Sequence, residues 1–184
     1  MFVKPLPGEH IYSYLYRAYK LHSVNALHTI INSEGLFKQR LALIKYEYIK
    51  DFVPLSRNDD SLWWNQMLAP VVASSDFYMF ELNTPAVNEG GGKVQSFGWR
   101  LRPLRRRRPD RIKFCPDCIE EFITEFGTAY LLSEWLGDAV ICQEHSRRLV
   151  FANCRSRKEA DGALSEIFQA QGNGFDERST PTVE

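Results

Sequence analysis

Residues 114–145 begin with the motif FCPDC and end with the motif CQEH. A C-x2-C turn brings two thiolates to one metal ion, and a C-x2-H motif supplies a third thiolate and an imidazole. Four protein ligands leave no open coordination position, so the pattern predicts one structural Zn²⁺ in a small zinc-finger module. The predicted ligands are Cys115, Cys118, Cys142 and His145.

Other interpretations of these residues stay open. The cysteines could be buried free thiols beside a surface histidine, or Cys154 could replace His145 as the fourth ligand. Disulfides are disfavoured, because the opening MFVKPLPGEH contains no apolar export segment and three cysteines have metal-ligand spacing. The remaining histidines, His10, His22 and His28, have no cysteine near them in sequence and are interpreted as ordinary helix histidines.

A short helix is predicted between the two motifs, over CIEEFITEFG. Its apolar residues recur at i, i+3, i+4 and i+7, and Gly127 suits its C-terminal cap. Those apolar residues are Ile119, Phe122, Ile123 and Phe126. We expect Tyr130, Leu132 and Trp135 to pack on this stripe, so that the metal and a small aromatic core stabilise each other.

The N-terminal part of the chain has helical spacing. In residues 9–22, Ile11, Leu15 and Ala18 fall on one helical face. The predicted helices cover 9–22, 24–33, 36–50, a stretch from Asp60 or Ser61 to Leu68, and 71–82. The predicted fold class is therefore mainly α, with a helical N-terminal region joined to the zinc-finger module.

Composition and breakers divide the 184 residues into four segments. Apolar residues make up 44% of the chain, which is enough to form a packed core. The predicted segments are a helical region (1–82), a glycine-containing linker with an arginine-rich stretch (83–111), the zinc-finger module (112–154) and a weakly helical to disordered tail (155–184). Within the linker, 83–96 is expected to be loop, and within the tail, 158–170 is expected to be helical.

A basic cluster precedes the first cysteine motif, although the formal net charge is zero. Arginine forks pair with phosphates, so the cluster predicts nucleic-acid binding without base readout. Docking on an acidic protein surface and a simply solvated loop are the alternatives. The candidate nucleic-acid contacts are Arg100, Arg102, Arg105, Arg106, Arg107, Arg108, Arg111 and Lys113.

Two segments resemble the TniQ/TnsD family of bacterial transposon target-selection proteins. Residues 7–19, PGEHIYSYLYRAY, are similar to the family's opening pattern P-x-E-S-L-Y-S-x-L-x-R-x-A. Residues 115–149 are similar to its CPxC…W…CxxH…L pattern. One departure is Ser146, which stands where family members often have glycine after the histidine.

The resemblance implies a non-enzymatic adaptor in transposition. Such a protein links target DNA or a targeting complex to an AAA+ (TnsC-like) ATPase and so to the transposase. Some members sit on a CRISPR effector complex, often as dimers, so the implied partners also include such a complex and a second copy of the chain. We expect a cytoplasmic protein, because no run of apolar residues is long enough to span a membrane.

The first helix is expected to dock the ATPase. Its tyrosines are distributed around the helix, and tyrosine and arginine are enriched at interface hot spots. The candidate contacts are Tyr12, Tyr16 and Arg17.

Two other functional classes compete with the adaptor. A stand-alone zinc-stabilised regulator of DNA or RNA would use the arginine cluster as its main contact. A metal-dependent nuclease would need more than the adjacent acids Asp59 and Asp60, which have no third carboxylate at a useful spacing.

Overall fold

The structure, a computed structural model, describes residues 3–38, 44–45, 77–87, 93–103 and 109–169. The fourth predicted helix and the end of the tail lie outside these residues. None of the described helices is long and apolar enough to cross a membrane.

Three α-helices and five strands make up the regular structure of the described chain. The helices are α1 (Ile11–Leu21), α2 (Pro116–Phe126) and α3 (Arg157–Phe168). The strands are β1 (Ile44–Lys45), β2 (Phe77–Val87), β3 (Lys93–Pro103), β4 (Lys113–Phe114) and β5 (Val150–Phe151). Single 3-10 turns lie at Leu27–Thr29 and Ser133–Trp135.

Helix α1 confirms the first predicted helix to within two residues at each end. The ring of His10 caps it, because its Nδ1 accepts a hydrogen bond from the backbone N–H of Tyr12 at 3.1 Å. The helix is buried on almost every side, and Ile11, Leu15 and Ala18 are fully inaccessible to solvent. Lys20 is exposed, whereas the hydrophobic core includes the other apolar and aromatic side chains Tyr12, Tyr14, Tyr16 and Tyr19 of α1 beside Ile11, Leu15 and Ala18.

A buried ion pair holds the start of α1. The carboxylate of Glu9, which is fully buried, accepts from Arg17 Nε at 2.8 Å and Nη2 at 2.6 Å, and from Ser13 Oγ at 2.8 Å. A buried carboxylate is tolerated only when it is paired and hydrogen-bonded in this way. We call Glu9, Ser13 and Arg17 the Glu9 network.

The Glu9 network joins α1 to the chain before the second cysteine motif. Ser13 Oγ accepts from the backbone N–H of Leu131 at 2.9 Å, and the N–H of His10 donates to the carbonyl of Leu131 at 2.8 Å. The N–H of Ser133 donates to the carbonyl of Gly8 at 2.9 Å. The predicted helical region and the predicted zinc-finger module therefore share one hydrophobic core in the described chain.

The second and third predicted helices are wrong where the structure describes them. Residues 24–33 contain only the 3-10 turn, and Ile31 instead forms an antiparallel bridge with Phe37. Phe37 also bridges Asp110, with N–H···O bonds of 2.8 and 3.2 Å. Residues 44–45 form β1, so helix is the wrong assignment for them.

Strands β2 and β3 form a long antiparallel hairpin that was not predicted. Their register runs from Phe77 opposite Pro103 to Val87 opposite Lys93, and β1 pairs with the other edge of β3. Helix is therefore the wrong assignment for 77–82, and loop is wrong for 83–87 and 93–96. Pro85 fits this arrangement, because β2 is an edge strand of its sheet in the described chain and an edge strand tolerates a missing N–H.

Helix α3 confirms the predicted helix in the tail and packs back on α1. The Tyr16 hydroxyl lies 3.0 Å from Ser165 Oγ and donates to the carbonyl of Asp161 at 3.1 Å. Arg157 Nε donates to the carbonyl of Ile31 at 3.1 Å. Together with the buried side chain of Leu164, these contacts make α3 part of the core.

Candidate metal centre

The four predicted zinc ligands come together in space. Their sulfur atoms and one imidazole nitrogen all lie within 4.8 Å of one another. The three cysteines are buried, and the His145 side chain is 22% exposed. The members of this Cys3His cluster are Cys115, Cys118, Cys142 and His145.

The spacing within the Cys3His cluster fits a tetrahedral metal ion. Cys118 Sγ lies 3.5 Å from Cys142 Sγ and 3.2 Å from His145 Nδ1. His145 Nδ1 lies 3.7 Å from Cys115 Sγ and 3.9 Å from Cys142 Sγ. Ligands about 2.3 Å from a central zinc lie roughly 3.8 Å apart in a regular tetrahedron. A disulfide would need a separation of about 2.05 Å, so these are free thiols at metal-ligand distances.

The junction of β4 and α2 positions the first two cysteines. Cys115 is the N-cap residue of α2, with an extended backbone, and Pro116 takes the first helical position, which suits its fixed φ. Cys118 then lies in the first turn of the helix. Gly127 ends α2 in the left-handed conformation at φ 70°, and its N–H donates to the carbonyl of Ile123, which confirms the predicted helix and cap.

A tight loop positions Cys142 and His145. Ile141 bridges Arg148, and the N–H of Cys142 donates to the carbonyl of Arg147 at 2.8 Å. Within this loop Ser146 has a φ of 51°. A left-handed backbone favours glycine, which is a physical reason for glycine at this position in similar sequences.

The electrostatics of the cluster favour a bound cation. Burial raises the pKa of Cys118 far above the usual thiol range and also raises that of Cys115. Burial opposes ionisation of Cys142 as well, but hydrogen bonds from the backbone and ring of His145 outweigh it and lower that pKa. A divalent cation offsets the cost of three buried thiolates, so the donor set fits a metal better than it fits free thiolates.

Aromatic rings pack on the apolar stripe of α2 as predicted. Phe122 stacks on Tyr130 with ring centroids 4.0 Å apart, and on Trp135 at 6.1 Å. Burial raises the pKa of Tyr130 to about 12, so its hydroxyl is neutral at physiological pH. Leu132 also packs against the core, so α2 is held in place by the side chains on its inner face.

A family model described as TniQ matches residues 1–149. The chain belongs to the TniQ family. The match spans both α1 and the Cys3His cluster. Neither the search of curated proteins nor that of solved structures found a match.

The opening motif of this TniQ chain has a structural explanation. The residues that it shares with the family pattern include Glu9, Ser13 and Arg17, which together form the Glu9 network. Those side chains bond one another and the backbone of Leu131. The motif therefore connects the N-terminal helix to the segment that leads into the second cysteine motif.

The candidate nucleic-acid residues are distributed unevenly. Lys113 is wrong as a contact, because it is 3% exposed and its Nζ donates to the carbonyls of Gly137 at 2.6 Å and Ala139 at 3.2 Å. Arg111 is exposed, and Arg100 and Arg102 lie on β3. Arg105, Arg106, Arg107 and Arg108 lie outside the described residues.

The exposed tyrosine surface expected on α1 is wrong. Tyr12 is 4% exposed and stacks on Phe37 at 4.7 Å, and Tyr16 is 2% exposed. The Tyr12 hydroxyl donates to the carbonyl of Lys38, which adds to its structural role. Arg17 is 13% exposed and paired with Glu9. Docking on the N-terminal region stays a prediction, and it now rests on other, exposed side chains.

The sequence analysis missed the polar residues around His145. Glu121 Oε1 lies 3.1 Å from His145 Nε2, and Arg147 Nη1 donates to Asp117 Oδ1 at 2.7 Å. Asp117 and Glu121 are four residues apart on α2, so they share one helical face. The four-residue spacing of Asp117 and Glu121 can be read from the sequence. The sequence does not show that the loop carrying His145 and Arg147 packs against that face of α2.

Cys154 is half-buried and is not part of the described cluster, which favours His145 over Cys154 as the fourth member of the donor set.

Proposed function

We propose that the protein is a non-enzymatic adaptor in the selection of transposition target sites. The observation that carries this proposal is the TniQ match over residues 1–149, which includes both shared motifs. The adaptor would link target DNA or a targeting complex to the transposon's AAA+ ATPase. It would act by binding, with its Cys3His cluster maintaining the shape of the binding surfaces.

The proposed role of the cluster is to hold one structural zinc ion. Three thiolates and an imidazole form a closed tetrahedral set, which leaves no position for a substrate. Because α1 packs on the same core, zinc would stabilise the N-terminal helix as well as the local loops. Metal analysis of the purified full chain should return one zinc per molecule, and well-folded protein without zinc would contradict this assignment.

The proposed ATPase contact lies on the N-terminal region rather than on the zinc module. Among described residues, Leu21 at the end of α1 is a large apolar side chain that is 53% exposed. Val140, beside the second cysteine motif, is 52% exposed, so it serves as a control position of equal exposure on the zinc module. These two side chains allow the location of the contact to be tested without disturbing the core.

The test is co-purification of the cognate AAA+ ATPase with the full chain. We expect Leu21→Ser to reduce the retained ATPase several-fold and Val140→Ser to leave it unchanged, with both variants checked for zinc content and helicity. Loss with Val140→Ser alone would move the contact to the zinc module. Failure of the unmodified chain to retain the ATPase at all would contradict the adaptor proposal.

A stand-alone nucleic-acid regulator is the second candidate function. The basic cluster before β4 favours it, because concentrated arginines bind phosphates without a protein partner. Strong, salt-dependent binding to duplex DNA, together with no retention of the ATPase, would favour the regulator over the adaptor.

A further inference from the structure

His145 has two different environments at its two ring nitrogens. Nδ1 faces the three sulfur atoms, at 3.2 to 3.9 Å. Nε2 faces Glu121 Oε1 at 3.1 Å. An imidazole that binds a metal through one nitrogen carries its proton on the other, and a carboxylate that accepts this proton fixes the ring's orientation. The geometry has the form of a carboxylate–histidine–metal arrangement.

The same helical face fastens the loop at a second point. Asp117, one turn before Glu121 on α2, accepts from Arg147 at 2.7 Å. Arg147 lies two residues after His145, and its own carbonyl accepts from the N–H of Cys142. Two carboxylates on α2, which also carries Cys118, therefore contact the loop that carries the other two ligands.

We propose that Glu121 is a positioning residue for the metal centre, accepting a hydrogen bond from His145 Nε2–H so that Nδ1 is held toward the three cysteines. This inference rests on the proposed zinc site. Glu121 is 63% exposed, so it adds little to the core, and its contribution should appear in metal affinity. The Asp117–Arg147 pair fastens the same loop to α2.

The experiment measures zinc affinity of the full chain by competition with a chromophoric chelator. Removal of such outer partners typically costs about 10- to 100-fold in metal affinity, and we expect Glu121→Ala to lose that much. Glu121→Gln keeps an oxygen that can accept from Nε2–H, so it should retain most of the affinity. Glu120→Ala is the matched control, because Glu120 is also exposed on α2 and makes no described contact with His145.

A second readout separates positioning from a general effect on the helix. In the zinc-loaded unmodified protein, proton NMR should show the Nε2–H of His145 as a downfield, slowly exchanging signal. The signal should persist in Glu121→Gln and be lost to solvent exchange in Glu121→Ala, although both variants bind zinc at saturating metal.

The outcomes distinguish this inference from the zinc proposal. An unmodified protein without measurable zinc affinity would contradict the zinc site itself. Tight zinc binding that is unchanged in Glu121→Ala, or reduced equally in Glu120→Ala, would contradict only the role of Glu121.

Discussion

Gly35 shows how a single residue is constrained by the tertiary structure. Its φ is 79°, and a Cβ atom added there would lie 2.8 Å from both the Cys154 Cβ and the Ser156 carbonyl oxygen. The left-handed backbone and the close approach of the segment before α3 both require glycine. Gly162, within α3, provides the opposite case, because a Cβ there meets nothing within 4 Å.

We predict that Gly35→Ala destabilises the protein by about 3 kcal/mol, since it combines backbone strain with overpacking. Gly162→Ala should stabilise it by about 0.5–1 kcal/mol, because alanine favours an open helical position. Urea unfolding of the two variants beside the unmodified chain measures both changes. A Gly35→Ala variant as stable as the unmodified chain would contradict the constraint at Gly35, and an unchanged Gly162→Ala variant would contradict the predicted gain at Gly162.

At the scale of elements, α3 completes the core although it lies beyond the residues matched to TniQ. Ser156 caps the helix by accepting from the N–H of Glu159 at 3.2 Å, and the sequence S-x-x-E is a known start signal that predicts this helix locally. Leu164 and Ile167 are buried against the N-terminal region. Burial of each stabilises the fold by about 2 kcal/mol.

Truncation tests this role of α3. A chain ending at Arg155 should lose several kcal/mol of stability and melt at a clearly lower temperature, because α1 loses the partners of Tyr16. A chain ending at Gln169 keeps every described contact of α3 and serves as the control, with an unchanged melting temperature. Circular dichroism against temperature follows both. An unchanged melting temperature on truncation at Arg155 would contradict the assignment of α3 to the core.

At the scale of the whole molecule, a neutral chain carries its basic residues unevenly. Replacement of Arg105–Arg108 by alanine should weaken binding to all duplex sequences alike and reduce the salt slope of log K by up to about 3 to 4. The matched control replaces four exposed basic residues elsewhere, Lys4, Arg148, Arg155 and Lys158, and should change the slope less. Filter binding across a salt series measures both slopes, and an unchanged slope in the first variant would assign the cluster to protein docking or to solvent.

Features that depend on neighbours within a few residues could be predicted from the sequence. Ligand spacing identified the Cys3His cluster, and periodicity with caps identified α1 and α2, because each of these signals acts within one or two turns of chain. The three consecutive glycines at 90–92 predict a loop over 83–96, but they are equally typical of a hairpin turn. Phe97, Trp99 and Leu101 alternate with Gly98, Arg100 and Arg102, which is the period of a strand.

The burial of particular polar and aromatic residues depends on long-range packing and could not be predicted from local sequence. Phe37 pairs with Asp110, and Glu9 with Leu132, across separations that no local pattern encodes. The burial of Tyr12 and of Lys113 follows from such long-range packing, which is why their predicted surface roles were wrong. A side chain's surroundings are set by the segments that fold against it, whereas spacing along the chain determines only what it can reach.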